Sequence, residues 1–364
     1  MDTSTEFLCI AVHGGAGVHS TTSSQVQATK EGLIKACHLA WTQSLVNQTT
    51  CPLDLCVDST SALENDENFN AGFGSNLTLC GAVECDAAVM TEDGHFGSVG
   101  ALAGVRNPVR AARLILDHSQ NLDSIGRVPP LTLVASGAQQ FVQARDASLV
   151  IDPHSMICEN ARKDWSRWRE KLSHGSIHRP ESSGSRSLLQ DTVGSIVMNN
   201  VGSATSVSSG GLLLKHSGRV GEAAVYGAGC YAARQHQTSS FQRRVACSVS
   251  GTGEEIIRAG LARAICESFQ NHPEEDADMH AILERLLTSY GMTSSTTPVD
   301  VGAIVMTREN QSRPRLWCAF TSESMAIAFM SSKYSRPKAM ILRRDTPSNS
   351  ALPSSRLFIT SYAL

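Results

Sequence analysis

One threonine, Thr192, stands at the start of an apolar run that is typical of a β-strand. If the peptide bond before it is cut, Thr192 gains a free α-amine beside its hydroxyl group, so one residue supplies both a nucleophile and the base that activates it. That amine has a reference pKa of about 7.7–8.0, near the pH at which a general base works best. The preceding Asp191 places a carboxylate next to the bond, where it could act as a base or strain the peptide. We therefore predict self-cleavage between Asp191 and Thr192.

Two downstream segments are predicted to lie close to Thr192. The sequence Asn199-Asn200-Val201-Gly202 is typical of a hairpin turn, so residues 203–209 should return beside the Thr192 strand. This arrangement would bring the Ser209 hydroxyl near the nucleophile, followed by a glycine pair that permits close approach. Further on, Arg219 lies in a glycine-framed loop and is suited to binding a carboxylate with two hydrogen bonds. A solvated surface arginine is the alternative interpretation of that segment.

These segments resemble the β-subunit of the type-2 asparaginases, which are N-terminal-nucleophile (Ntn) hydrolases. The resemblance covers most of residues 7–330 and implies an α+β fold, the four-layer αββα sandwich of that superfamily. It also implies a single domain made as a precursor, in which residues 1–191 become an α-subunit and residues 192–364 a β-subunit. The motifs that carry the resemblance are His13-Gly14-Gly15-Ala16-Gly17, Asn70-Ala71-Gly72-Phe73-Gly74-Ser75-Asn76, Glu84-Cys85-Asp86-Ala87-Ala88, Thr192-Val193-Gly194, Ser208-Ser209-Gly210-Gly211, Gly218-Arg219-Val220-Gly221 and Tyr226-Gly227-Ala228-Gly229-Cys230-Tyr231-Ala232.

Within that family the chain is similar to the threonine aspartases (taspases), a branch of proteases that cut protein chains after aspartate. The motifs that carry this resemblance are Ser208-Ser209, Leu214-Lys215-His216 and Thr321-Ser322-Glu323-Ser324-Met325. The resemblance implies a threonine endopeptidase, with trithorax-type methyltransferases and transcription factor IIA as protein substrates. The scattered cysteines indicate reduced thiols, which predicts a location in the nucleus and cytoplasm. The resemblance also implies an αβ heterodimer that assembles as a dimer of αβ units, with no direct nucleic-acid or membrane partner.

The same resemblance assigns roles to further residues. Ser250 and Gly251 would contribute to substrate binding, and a backbone N–H of Gly251 would stabilise the oxyanion of the tetrahedral intermediate. Asn70 would lie beside the nucleophile, and Gly15 would allow close approach to the cleavage junction. No cofactor and no catalytic metal are implied, although the loop from Asn70 to Asn76 resembles a structural sodium-binding loop of the family.

Glu222 leaves the substrate class open. In the asparaginase branch the matching residue is an aspartate that binds the α-ammonium group of a small substrate, whereas the taspase-like branch has a neutral residue there. Glu222 therefore keeps an isoaspartyl peptidase or L-asparaginase acting on small amides as an alternative to the endopeptidase. An inactive member that serves as a binding scaffold is a further alternative, which the intact Thr192, Ser209 and Arg219 disfavour.

The rest of the chain sets limits on these interpretations. Its 364 residues suffice for one large α/β domain, and its net charge of −3 gives no reason to expect direct binding to nucleic acid. The eleven cysteines lack the spacing of a zinc site. Residues 159–190, rich in Arg, Lys, Ser and His, are predicted to form a mobile linker loop. Strands are predicted at 7–12, 98–105, 192–198, 299–306, 316–320 and 325–330, and helices at 25–46 and 254–269.

Overall fold

A computed structural model describes residues 7–46, 51–122, 124–173, 191–235, 242–272, 277–290, 299–310, 312–344 and 356–364. Within these ranges, no helix is both long and apolar enough to span a bilayer. The helices are α1 (Ser23–Val46), α2 (Pro52–Glu64), α3 (Pro108–Ser119), α4 (Ala135–Arg145), α5 (Glu159–Ser173), α6 (Gly253–Ala259), α7 (Leu261–Gln270) and α8 (Met279–Tyr290).

The strands are β1 (Leu8–Gly17), β2 (Cys85–Thr91), β3 (Phe96–Leu102), β4 (Thr132–Val134), β5 (Val193–Asn199), β6 (Ser203–Ser209), β7 (Cys230–Arg234), β8 (Arg243–Gly251), β9 (Val301–Glu309), β10 (Arg315–Phe320), β11 (Ser324–Ser331), β12 (Lys338–Arg343) and β13 (Phe358–Ala363). In the described part of the chain, eight of them form a sheet in the order β12-β11-β1-β5-β6-β2-β3-β4. The other five form a second sheet in the order β13-β10-β9-β8-β7.

The alternation of side chains along β1 explains how the sheets pack into layers. Ile10 and Val12 point to one face, where they join a buried cluster with side chains of α1 to α4. Cys9 and Ala11 point to the other face and pack against residues of the second sheet, such as Ile304. The outer face of the second sheet is covered by α7 and α8. The order helix, sheet, sheet, helix confirms the predicted αββα sandwich.

The predicted hairpin forms and places Thr192 between the two sheets. β5 and β6 pair antiparallel across the turn after Asn199, with Val193 opposite Ser208. On its other side β5 pairs with β1, with Gly194 opposite His13. Thr192 therefore lies at the start of β5, where β6 ends, and is almost fully buried.

Two predicted elements differ from the structure. The helix predicted over 254–269 is two helices, α6 and α7, because Gly260 between them has a left-handed backbone (φ +53°) that ends the first helix. The linker loop predicted over 159–190 is helical in its first half, which forms α5. That helix is anchored where Trp165 donates a hydrogen bond to the Thr78 carbonyl at 2.8 Å. The remainder of the predicted loop, 174–190, lies outside the described residues.

Candidate active site

The Thr192 hydroxyl group contacts two polar side chains from different segments. Its Oγ1 donates to Glu222 Oε1 at 2.5 Å, and it also lies 3.2 Å from Ser209 Oγ, at the end of β6. The backbone N–H of Thr192 donates to Ser250 Oγ at 3.2 Å. Ser250 belongs to β8, so Thr192 is held from both sheets at once. The predicted hairpin, which brings Ser209 near Thr192, agrees with the Ser209 contact.

Glu222 is held against Thr192 by the loop that precedes it. Asp86 on β2 accepts a hydrogen bond from the backbone N–H of Gly221 at 2.8 Å, which fixes the residue directly before Glu222. The Glu222 side chain is buried, and this burial raises the pKa of its carboxyl group, although the hydrogen bond from Thr192 and the charge of Arg219 act in the opposite direction. Glu222 is thus a buried carboxylate in direct contact with the Thr192 hydroxyl group, a position that the sequence alone did not indicate.

Arg219 lies beside the site and has an acidic partner. Its Nε and Nη2 lie 2.9 and 2.8 Å from a single carboxylate oxygen of Glu254, at the start of α6. The third guanidinium nitrogen, Nη1, lies beside Gly221 and Gly211, since β-carbons added to these glycines would be 2.7 and 3.2 Å from it. Glu254 is about half exposed, while only 15% of the Arg219 side chain is accessible. Arg219 is therefore a partly buried cation rather than a free surface arginine, and sequence reasoning missed its partner.

Asp191, the residue before the predicted cleavage point, occupies a pocket made by two glycines of β1. A β-carbon on Gly15 would lie 2.5 Å from Cβ of Asp191, and one on Gly17 would lie 2.7 Å from Asp191 Oδ1. Oδ1 is buried and has no hydrogen-bond partner among the described residues. Burial raises the pKa of the Asp191 carboxyl group, and the charge of His19 partly offsets this effect. Gly15 therefore makes room for the Asp191 side chain, as its predicted place at the junction requires.

Replacing Gly15 by alanine is expected to slow self-cleavage and destabilise the uncut chain by about 1–3 kcal/mol. The φ of Gly15 is +109°, a conformation that disfavours a β-carbon, and the added atom would also collide with Asp191. Urea unfolding in a Thr192→Ala background would measure the stability loss. Gly94→Ala is the matched control, since Gly94 has a φ of +86° and open space around it. Equal effects of the two substitutions would contradict a specific role for Gly15.

Ser250 and Gly251 have distinct surroundings. Ser250 Oγ accepts from the backbone N–H of Ala16 at 3.0 Å as well as from Thr192, and so joins β1 and β8 at the nucleophile. Gly251 ends β8 with a φ of +143°, and a β-carbon there would lie 2.3 Å from the Asp300 carbonyl oxygen. Ser250 therefore contacts Thr192 directly, while the oxyanion role of Gly251 stays a prediction.

Asn70 contacts the glycine pair that follows Ser209. Its side-chain Nδ2 donates to the Gly211 carbonyl at 2.9 Å, and its backbone carbonyl accepts from the N–H of Gly210 at 2.8 Å. The N–H of Gly211 in turn donates to Ser209 Oγ at 3.0 Å. Asn70 thus fixes the glycine pair that follows Ser209, and its described hydrogen bonds do not include Thr192.

One buried side chain of this framework, Glu64, was not recognised from the sequence. Glu64, at the end of α2, accepts from Ser208 Oγ at 2.7 Å, and burial raises its pKa to about 7. Lys215 donates to the Glu84 carbonyl at 2.6 Å and lies next to Gly211. His13 on β1 contacts Ser248 Oγ at 2.8 Å, and burial lowers its pKa to about 3.

The described residues contain no cluster of three or more His, Cys, Asp or Glu side chains that could hold a metal ion. The glycines of the loop from Asn70 to Asn76 lie against backbone oxygens instead. A β-carbon on Gly72 would lie 2.4 Å from the Glu64 carbonyl oxygen, and one on Gly74 would lie 2.1 and 2.9 Å from those of Phe69 and Glu67. Carbonyl oxygens are suitable ligands for a hard cation such as sodium, and the sodium-binding role of this loop stays a prediction.

Comparison with known proteins assigns the family. A family model described as Asparaginase matches residues 6–337. The chain is 28% identical to a plant-type L-asparaginase of Pyrococcus abyssi over 338 residues, which cover 91% of this chain and 99% of the relative. It is 32% identical to an isoaspartyl peptidase/L-asparaginase of Mus musculus over 283 residues, 76% of this chain and 77% of the relative. A rat protein of the same description is 32% identical over 263 residues, 70% of this chain and 69% of the relative. This match over most of its length, on an αββα sandwich, shows that the chain belongs to the type-2 asparaginase family of Ntn hydrolases.

Proposed function

We propose that the chain cleaves itself between Asp191 and Thr192, and that the Thr192 so exposed hydrolyses amide bonds of small aspartyl compounds, namely isoaspartyl peptides and L-asparagine. The cut would give fragments 1–191 and 192–364. The support for cleavage at this bond is that Thr192 is buried among polar partners from both sheets. A threonine that served only as the first residue of a strand would not need these polar partners.

In the mature enzyme the new α-amine would take the proton of the Thr192 hydroxyl group as Oγ1 attacks the substrate carbonyl. Ser250 Oγ, 3.2 Å from the Thr192 nitrogen, would orient that amine, and Ser209 Oγ lies beside the attacking oxygen. The amine would then return the proton to the leaving group. Water would hydrolyse the resulting ester and regenerate Thr192. The backbone N–H of Gly251 is proposed as the oxyanion donor.

The observation that carries the substrate class is the pair of opposite charges beside Thr192. Glu222 supplies a buried carboxylate and Arg219 a partly buried guanidinium group, three residues apart on the same segment. A free aspartyl amide has an α-ammonium group and an α-carboxylate group, which such a pair can bind together. The relatives named isoaspartyl peptidase/L-asparaginase and plant-type L-asparaginase support the same substrate class.

A second candidate function is cleavage of protein chains after aspartate, as in the threonine aspartases. The observation that favours it is the position of Asp191. Its side chain is buried against Gly15 and Gly17 while the main chain continues through Thr192, so this cleft holds an aspartate within a polypeptide. In this function Arg219 would bind the side-chain carboxylate of the aspartate, and Glu222 would have no ammonium group to bind.

A competition between substrate classes tests both candidates. We expect the mature protein to hydrolyse β-aspartyl dipeptides and asparagine, with peptides containing an internal Asp-Gly bond as much poorer substrates. Rates of ammonia or amino-acid release and peptide cleavage by mass spectrometry would be measured on one preparation, with Thr192→Ala as the blank. Efficient peptide cleavage after Asp without asparagine hydrolysis would select the endopeptidase instead.

The loop around Gly72 and Gly74 is proposed to hold a structural sodium ion through its backbone oxygens. Such an ion would rigidify the segment that carries Asn70 and thereby the glycine pair after Ser209. It would contribute to the geometry of the site and take no part in the chemistry.

A further inference from the structure

Self-cleavage needs a base that the mature reaction does not need. Before the cut, the Thr192 nitrogen is an amide whose lone pair is delocalised into the carbonyl group, so it cannot accept the hydroxyl proton. The α-amine that serves the mature enzyme is itself a product of the cut. Some other group of the uncut chain must therefore take the proton from Thr192 Oγ1.

The neighbouring titratable groups differ in whether they reach that oxygen. Asp191 lies on the other side of the scissile bond, where its carboxylate is packed against Gly15 and Gly17, and its described contacts do not include Thr192 Oγ1. The His13 ring contacts Ser248 Oγ and the backbone of Thr192, and its described contacts do not include Thr192 Oγ1. Glu222 alone among these three carries an oxygen within hydrogen-bond distance of Oγ1, at 2.5 Å.

We infer that Glu222 is the general base of self-cleavage in the uncut chain. This inference rests on the proposed self-cleavage and assigns its proton transfer. The contact is short, as expected for an O–H group bonded to a carboxylate. Its geometry is set before any substrate binds, because Asp86 fixes Gly221 and a β-carbon on Gly253 would lie 2.4 Å from the second Glu222 oxygen. The carboxylate therefore has little room to turn away.

The proposed step balances as follows. The Glu222 carboxylate takes the Oγ1 proton while a bond forms between Oγ1 and the Asp191 carbonyl carbon, which closes a five-membered ring. The bond between that carbon and the Thr192 nitrogen then breaks, and Glu222 returns the proton to the departing nitrogen. Water attacks the ester, releases the Asp191 carboxylate and restores the Thr192 hydroxyl group. The net change is addition of one water molecule across the peptide bond.

The pKa of Glu222 suits this task. Burial raises it above the usual range, and a more basic carboxylate accepts a proton more readily once it is ionised. The charged groups that face Glu222 are Arg219, whose charge lowers this pKa, and Asp86, whose charge raises it. Glu254 of α6 influences Glu222 through its ion pair with Arg219. The rate of self-cleavage should therefore rise with pH through the raised pKa of Glu222 and level off above it.

The test follows full-length chains made by cell-free translation, with the cut fraction measured on gels over time and across pH. Glu222→Gln keeps the shape and a hydrogen-bonding group but cannot accept the proton, so we expect cleavage to slow by about 10²-fold or more and the acid limb of the pH profile to disappear. Glu222→Asp should restore part of the rate and keep the acid limb. Asp191→Asn, the matched change at the rival carboxylate, should keep the acid limb.

The outcomes separate this inference from the function on which it rests. A wild-type chain that is not cut before Thr192 would overturn the proposed self-cleavage itself. Cleavage of the wild-type and Glu222→Gln chains at the same rate would overturn only the role of Glu222. Loss of the acid limb in Asp191→Asn, with the limb intact in Glu222→Gln, would assign the base to Asp191. If circular dichroism shows that Glu222→Gln does not fold, the pH profile of Glu222→Asp decides.

Discussion

The Thr192→Ala chain is expected to remain a single polypeptide of 38.9 kDa and to lose amidase activity by about 10⁴-fold or more. Alanine removes Oγ1, the atom that contacts Glu222 and Ser209, and with it both the nucleophile of self-cleavage and that of the mature enzyme. The fold should survive, because the replaced hydroxyl group makes side-chain contacts only within the site. Denaturing gels would report the cut, and ammonia release from asparagine would report the activity.

Thr192→Ser is the matched control, since serine keeps a hydroxyl group and would expose the same α-amine. We expect it to be cut and active at a reduced rate. Sequencing the N-terminus of the smaller wild-type fragment is the decisive measurement, because a fragment that begins anywhere except Thr192 contradicts the mechanism. An uncut and inactive wild-type chain would favour the binding scaffold.

Local chemistry predicted the pairing of β5 with β6 correctly, whereas the layered sandwich was expected from the resemblance. The turn at Asn199 to Gly202 and the strand-like run before it were sufficient to place β5 beside β6. The prediction of a single helix over 254–269 was wrong because the helical pattern continues across a glycine. The apolar spacing of residues 254–269 persists through Gly260, but the left-handed backbone at that residue turns the chain and separates α6 from α7.

The error at α5 has a different physical cause. Its composition is so polar that it favours a loop, and the buried residue within its described span is Ala161. What holds the helix is a long-range contact, in which the Trp165 ring packs on Gly81 and donates to the Thr78 carbonyl. No pattern within residues 159–173 could reveal a partner some 80 residues away.

The difference between local patterns and long-range contacts also applies to the site. Thr192 and Ser209 could be brought together from sequence because one hairpin connects them. The contact between Glu222 and Thr192 depends on Asp86 of β2, and the pair formed by Arg219 and Glu254 joins a loop to the start of α6. These contacts are set by packing between segments distant in sequence, so the residue types were recognised but their partners were not.

Arg219→Ala is expected to lower kcat/KM for aspartyl substrates on the order of a thousandfold. A substrate carboxylate that is desolvated in the site without its cationic partner costs about 3–5 kcal/mol. Much of the loss should appear in KM, because Arg219 binds the substrate away from the reacting atoms. The loss should apply to small amides and to peptides cut after Asp, since both proposed functions use the same guanidinium group.

Self-cleavage provides the internal control for Arg219→Ala. The scissile bond is already held beside Thr192 by the fold, so proximity replaces the binding energy that Arg219 supplies to a separate substrate. The variant should still be cut into two fragments that are nearly inactive on added substrate. Glu254→Gln removes the charge that competes for Arg219 and should lower KM. If Arg219→Ala retains near-normal turnover, another cation binds the carboxylate, and the buried Lys215 beside Gly211 would be the first candidate.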